Sequence, residues 1–351
     1  MFKMKARRCL VIIKYNDKDI STDLQQYLKN VSYTDNISGE ADDLQLTLED
    51  KAGLWQSAWM PEKGATLDVS VKLINWQSIG EQVVRFGLFE IDEITSSGMP
   101  SEVQIKAVSV PDNNNLRGAE RTRSWEKAEL KRIANDIATE AGLALYYDVK
   151  EYNPVIDRAE QTEQSDLSFL YKLCADHGLA LKICDKQVVI FDEADYEAAE
   201  AVALVPKPKA SYSIGSLKGL DMLKSYSLRS KVRDVYKSCH VKYQDSSTKQ
   251  KIEATFAAPD KKIGKTLEVN EQVASIADAE RLAKKKLREK NSDEVTGSFS
   301  FLGNPELAAA VNIQLSGFGA FDGKYIITKA QHDISNGYTT SIDVRRCLDG
   351  Y

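Results

Sequence analysis

The chain has 351 residues, of which 42% are hydrophobic and 28% charged, and a net charge of −5. That length suits two or three domains around a buried core. It carries neither the basic excess of a nucleic-acid binder nor the ~18-residue apolar run of a membrane span. Sequence-specific nucleic-acid binding and stable membrane insertion are therefore not expected. The five cysteines, at positions 9, 174, 184, 239 and 347, are odd in number and scattered, so they suggest no disulfide framework.

At the N-terminus, Lys3, Lys5, Arg7 and Arg8 precede the short apolar run Cys9–Ile13. A secretory segment needs roughly 7–15 apolar residues, so "CLVIIKY" is predicted to be a first strand. Strand patterning continues to about residue 110. Leu44, Leu46 and Leu48 alternate with polar residues, and so do Leu67, Val69, Val71 and Leu73. "RFGLFEIDEI" and "EVQIKAVSV" follow, with Pro61 and Gly64 turning the chain on the way. A repeated period of two predicts an antiparallel sheet or barrel with one face buried.

Beyond the polar loop "PDNNNLRG", helical spacing begins. Leu130, Ile133, Ile137 and Ala141 share one helix face, Ser124 is a candidate N-cap and Gly142 a candidate stop. The strand "LALYYDV" follows. A second helix is predicted from Ser165 and Asp166, with Leu167, Leu170, Cys174 and His177 on one face and Gly178 at its end, before "LALKICD" and a further strand. "AGLAL" at 141–145 is echoed by "HGLAL" at 177–181, from Gly142 to Gly178 a step of 36 residues. The middle region is thus a small α+β unit ending near a linker, "VPKPKAS".

Strands return with "DVYKSCHVKYQD" and "KIEATFAA", predicted to pair. One long helix interrupts them, with a stripe of Val273, Ile276, Ala279, Ala283 and Leu287 and a capping-box spacing of Ser275 and Asp278. The last part reads as a hairpin, its Asn336-Gly337 suited to a type I′ turn before the alternating Tyr338, Thr340, Ile342 and Val344.

The candidate chemistry is thin. Cys174 and His177 could face one ligand, but zinc needs two more, and Cys184 with His240 lacks the paired CxxC spacing. Cys239 and His240 are adjacent on a strand and point to opposite faces. A packed cysteine and a histidine in the last helical turn account for the first pair equally well, and a Cys–His nucleophile lacks an orienting third group. Gly264-Lys265-Thr266 matches the tail of a phosphate loop, but Pro259 stands where its first glycine belongs. The basic run 284–290 fits a solvated helix end. Asp42-Asp43 and Asp92-Glu93 are acidic pairs of the sort a glycosidase uses, in a chain with 52 acidic residues. No catalytic, cofactor-binding or metal-binding residue is assigned, and no cofactor is expected.

Three stretches carry a resemblance: "DDLQLTLEDKAGLW…MPEKGATLDVSV" (42–71), "EQTEQSDLSFLYKLCADHGLALKICDKQVVIFDE" (160–193) and "DAERLAKKKL" with "FDGKYIITKAQHDISNGYTTSIDV" (278–344). In this order they resemble the phage late-control protein D family, the baseplate hubs of contractile tails. They are similar also to the hub portion of valine-glycine-repeat spike proteins. The resemblance implies an α+β, β-rich fold in which two antiparallel β-barrel-like domains, 1–111 and 206–351 (with the long helix near 271–291), flank a small α/β domain, 112–205. It implies a structural, non-enzymatic hub that adapts a sixfold tail tube to a threefold spike as a homotrimer. Its partners would be the tail tube protein, a spike and other baseplate proteins, in a virion baseplate or tailocin particle assembled in the bacterial cytoplasm. With no needle-like repeat before Tyr351, the spike is expected to be a separate polypeptide. Similar proteins often carry glycine after "GNPELAA", where this chain has Ala310, so the local turn is expected to differ. The alternatives are a tail-associated cell-wall hydrolase and a peptidoglycan- or carbohydrate-binding module, for which Trp55, Trp59 and Trp76 are the hint.

Overall fold

The computed structural model describes residues 6–76, 80–110, 116–150, 152–208, 223–231, 233, 235–244, 251–271, 273 and 275–351. Lys3, Lys5, most of the polar loop at 111–115 and the linker residues 209–211 lie outside them. The chain divides into two compact units, the first built from Met1–Asp192, Leu302–Ala308 and Lys329–Ser341, the second from Glu193–Phe301, Ala309–Thr328 and Ile342–Tyr351.

The first unit opens with β1 (Arg8–Tyr15), β2 (Lys18–Asp19), α1 (Ser21–Gln25), β3 (Leu28–Asn36), β4 (Asp43–Glu49), β5 (Thr66–Ile74), β6 (Glu81–Ser97) and β7 (Glu102–Val108). With residues 329–334 these strands form an antiparallel sheet in the order 329–334, β3, β4, β7, β6, β5, β1, β2. The predicted alternation is met: Leu44, Leu46, Leu48, Leu67, Val69, Val71 and Leu73 are buried. Each such side chain contributes about 1.5–3 kcal/mol over an exposed one. Among the described residues, no pairing closes this sheet into a barrel.

The same unit continues with β8 (Glu120–Glu129), α2 (Leu130–Glu140), β9 (Ala144–Asp148), β10 (Val155–Ser165), α3 (Asp166–Asp176), β11 (Ala180–Cys184) and β12 (Gln187–Phe191). The step of 36 residues holds throughout. Leu130 and Asp166 open the helices, Gly142 (φ +66) and Gly178 (φ +73) end them, and Ala144 and Ala180 start the next strands. Even the positive φ of Lys127 recurs at Glu163. Buried positions correspond too: Ile133 with Phe169, Ala134 with Leu170, Ile137 with Leu173, Ala138 with Cys174. The two long strands β8 and β10 pair with each other, and β12 lies between β9 and β11.

Ser124 does not cap α2. It lies within β8, whose pairing with β10 persists to Glu129. The first helical amides are satisfied from outside instead: Leu130 N–H donates to Pro154 O (3.0 Å) and Lys131 N–H to Asn153 Oδ1 (3.0 Å). Ser165 does cap α3, accepting from Ser168 N–H (3.3 Å).

The second unit holds α4 (Glu193–Ala198), β13 (Ala203–Pro206), β14 (Leu223–Ser230), β15 (Tyr236–Gln244), β16 (Lys251–Ala257), β17 (Lys265–Val269), α5 (Ile276–Asn291), β18 (Val295–Leu302, except its last residue), β19 (Asn312–Ser316) and the open end of the hairpin formed by β20 (Gly323–Ile334) and β21 (Tyr338–Arg346). Its larger sheet runs β14, β18, β21, β20, β19, β13; the smaller runs β16, β15, β17. The expected pairing of β15 with β16 is present, and α5 packs Ala279, Ala283 and Leu287 against Cys239 and Val241. Ile276, placed in the stripe, is 62% exposed because it is the first helical residue and precedes the buried face. Val205 and Pro206, read as linker, belong to β13, which pairs in parallel with β19 and buries Val205.

The type I′ expectation at Asn336-Gly337 also fails. The loop is three residues long, 335–337, and neither residue has a positive φ. Two-residue turns with positive φ at both positions occur instead at Asn16-Asp17 and Asp185-Lys186.

Gly178 ends α3 in the left-handed region, where a Cβ costs roughly 1 kcal/mol or more. Gly178→Ala is expected to lower stability by that margin, read as a lower thermal midpoint. An unchanged midpoint would contradict this geometry.

Candidate functional site

The residues that the sequence singled out do not converge. Cys174 is fully buried on α3, and burial pushes its thiol up to about 12, far from a reactive thiolate. His177 caps the same helix, and its Nδ1 shares a hydrogen bond with Tyr152 Oη (3.0 Å). Cys184 ends β11, its thiol pushed up by burial to about 11. His240 lies on β15 in the second unit, bonded through Nδ1 to Thr255 Oγ1 (2.9 Å), while Cys239 points into the core beneath α5. Among the described residues, no group of three or more His, Cys, Asp or Glu is placed to hold a metal ion, and no helix is long and apolar enough to cross a membrane. Lys265 and Thr266 begin strand β17 rather than a helix, so no helix N-terminus stands ready for phosphate. Trp55 and Trp59 sit in the turns between β4 and β5, not on strands. Trp55 is buried, Trp59 is 42% exposed, and Trp76 donates its indole N–H to Gly303 O (2.6 Å).

What the fold does assemble is three clusters of buried charge, none evident from local spacing. In the first, Lys182 on β11 brings its ammonium between Asp35 of β3, in close contact, and Asp42 Oδ2 at 3.0 Å, and donates to Asn36 O (2.9 Å). Asp42 also accepts from Asn36 N–H (2.9 Å), and its own N–H donates to Ser109 Oγ (3.1 Å). Burial together with Asp35 outweighs Lys182 and raises Asp42 to about 7. Burial works against the Lys182 charge, yet the two carboxylates hold its ammonium above the ordinary lysine value. One cation between two anions gives both directions at once.

The second cluster ties the two 36-residue halves together. Arg123 donates to Gln161 Oε1 (2.8 Å), Asp166 Oδ1 (2.8 Å) and Glu140 Oε2 (2.7 Å), and its guanidinium lies 4.7 Å from the centre of the Trp125 ring. Asp166, buried in the first turn of α3, also suits that helix dipole. The third cluster is in the second unit. Glu197 on α4 is buried between Arg288 and Arg345 and accepts from Leu348 N–H (2.8 Å), and Arg345 reaches Glu193 at 2.5 Å. Arg288 belongs to the run 284–290 expected to be solvated; its side chain is largely buried because Glu197 draws it inward.

The acidic pairs fare no better as catalysts. Asp42 is held by Lys182, and Asp92 sits at a bulge of β6, 3.8 Å from Arg117. These arrangements hold elements together; they do not present a substrate with an acid and a base.

The family model described as phage tail baseplate hub (GPD) matches residues 92–338. The chain belongs to the phage tail baseplate hub family. It is 30% identical over 167 residues to a probable baseplate hub protein of Escherichia phage P2, a match covering 48% of the chain and 41% of that relative. The chain thus spans about two fifths of the length of the curated relative it matches. In fold it is similar to a tail protein from Neisseria meningitidis MC58, with a TM-score of 0.70 at 12% identity and 97% of each chain covered. It is similar also to a chain of a Francisella PdpA–VgrG complex, with a TM-score of 0.59 at 10% identity, covering 98% of this chain and 53% of that one.

Ala310 has φ +65, and its N–H donates to Ile327 O (2.9 Å). An alanine there is strained in a way glycine is not. Ala310→Gly is expected to raise stability by up to about 1 kcal/mol, read as a higher thermal midpoint; a lower one would contradict the strain.

Proposed function

We propose that the chain is a non-enzymatic hub that joins a sixfold tail tube to a threefold spike by assembling as a homotrimer. Each chain would offer two barrel-like segments, 1–111 and 206–351, on either side of the α/β segment 112–205, so that three chains present six. The observation that carries this reading is the hub-family match, which runs from 92 to 338 and so enters all three segments. The antiparallel strand content of both units supports it, as does the family's place in tails. A ring of identical chains needs a self-complementary or head-to-tail surface on each, and sheet edges such as β14, the last strand in its order among the described residues, are surfaces of that kind. The partners would be tail tube protein, a spike and neighbouring baseplate proteins, in a baseplate assembled in the bacterial cytoplasm. The buried, ion-paired carboxylates and the raised thiols fit a scaffold rather than a catalyst.

Copy number in the assembled particle tests this. Three chains per ring, with segments 1–111 and 206–351 alike in fold, is the expected result of imaging purified particles. Six chains per ring, or unrelated folds, would contradict the adaptor role.

A further inference from the structure

The outer edge of β1 is only partly covered. Ile13 turns its backbone outward, its N–H donating to Ser21 Oγ (2.9 Å) and its carbonyl accepting from Ile20 N–H (3.0 Å). Lys14 and Tyr15 are covered by β2. From Arg8 to Tyr15, β1 runs against β5 without a register shift. The outward direction therefore repeats every second residue, at Val11 and Cys9. Among the described residues, nothing pairs with the N–H and C=O groups of these two on that side. An open strand edge is commonly blunted by a charge, a proline or a bulge. The stretch Leu10-Val11-Ile12 has none of these.

A groove of about 320 Å³ lies along this edge. It is lined by β1, by Leu24 of α1, by Leu28 at the start of β3 and by Ile334 at the end of β20. That volume is at the small end of the ~300–1,000 Å³ of ligand sites, which suits the side chains of one strand and not a folded domain. The charged residues in the lining are Lys29 and Lys72, with no carboxylate among them. Lys72 is the register partner of Leu10, so it shares the outer face of the sheet with Leu10, and with Arg8 and Lys14 two and four residues along from it. Lys72 contacts Glu81 at 2.7 Å, and Lys29 pairs with Glu102. Arg8, exposed at the start of β1, has no carboxylate partner among the described residues.

We propose that this edge is a docking site for an extended segment of a partner protein, apolar at alternate positions and acidic between them. The segment adds a strand beside Arg8–Ile12, and its backbone takes up the free groups of Cys9 and Val11. The side chains of Cys9, Val11 and Ile13 face the core. Segment residues on that face enter the groove toward Leu24, Leu28 and Ile334, and must be apolar. The alternate residues lie on the outer face with Arg8, Lys14 and Lys72, and acidic side chains complement it. All of these residues belong to the first unit, so the site exists in a single chain whatever ring that chain joins.

Titration of the full chain with a fluorescent peptide, Val-Glu-Val-Glu-Val, tests this. Saturable binding is expected. With peptide at about ten times its dissociation constant, the Cys9 and Val11 amides are expected to exchange about tenfold more slowly, read by residue-resolved hydrogen exchange. Lysine in place of glutamate is expected to weaken binding about tenfold at low salt. Methylating the peptide's amide nitrogens at one alternate set, valine or glutamate, is expected to abolish binding, and at the other to spare it, because only one set faces β1. No binding at millimolar peptide, unchanged exchange of Cys9 and Val11 on binding, or indifference to both methylations would overturn the proposal. So would protection of these two amides in peptide-free protein that grows with protein concentration, which would make a second copy of the chain the occupant.

Discussion

The ammonium of Lys182 ties the α/β segment to the first sheet. It lies on β11, 146 residues from the Asn36 carbonyl that it also satisfies, and it draws Asp35 and Asp42 to one buried point. Those two residues stand on either side of the β3–β4 connection, so the same contact that seats the α/β segment also shapes a turn in the sheet. Apolar packing around it is non-directional, and the ion pairs supply the direction. A buried charge is weak evidence for stability as such; here its consequence is that β11 has one register against β12, since a shift of one residue would turn Lys182 to the opposite face.

The 36-residue duplication shows how local chemistry and long-range chemistry divide the work. Each half builds a strand, a helix and a glycine-ended turn from its own residues, and the stop at Gly142 or Gly178 needs nothing from elsewhere. The halves are joined by the β8–β10 ladder and by Arg123, which reaches Gln161 and Asp166. Directional pairs between elements resist sliding better than apolar contact alone.

Much of the fold was legible from periodicity, and the failures have physical causes. Alternation placed Leu44, Leu46 and Leu48 inside because a strand has only two faces. Both glycine stops and the Ser165 and Ser275 caps were local signals that the structure keeps. Ser124 failed because an outside partner, Asn153, did the work of a cap. Asn336-Gly337 failed because loop length, not dipeptide identity, sets the turn, while Asp185-Lys186 took positive φ at both positions without glycine. The charge clusters were invisible because their members lie far apart in sequence, and nothing in the spacing of Asp42 announces Lys182. Arg288 illustrates the same limit, a member of a basic run that turns inward only because Glu197 waits there. Family membership, by contrast, was readable from three ordered stretches, none of them a catalytic motif.

The central claim, that Lys182 and its carboxylates join the α/β segment to the first sheet, is tested most directly by a double-mutant cycle. Lys182→Met and Asp35→Asn would be made singly and together, and unfolding free energies compared at one pH. The account predicts a coupling well above about 1 kcal/mol, the scale of directly interacting buried groups. Effects that add to within about 0.5 kcal/mol, as those of distant independent sites do, would contradict it.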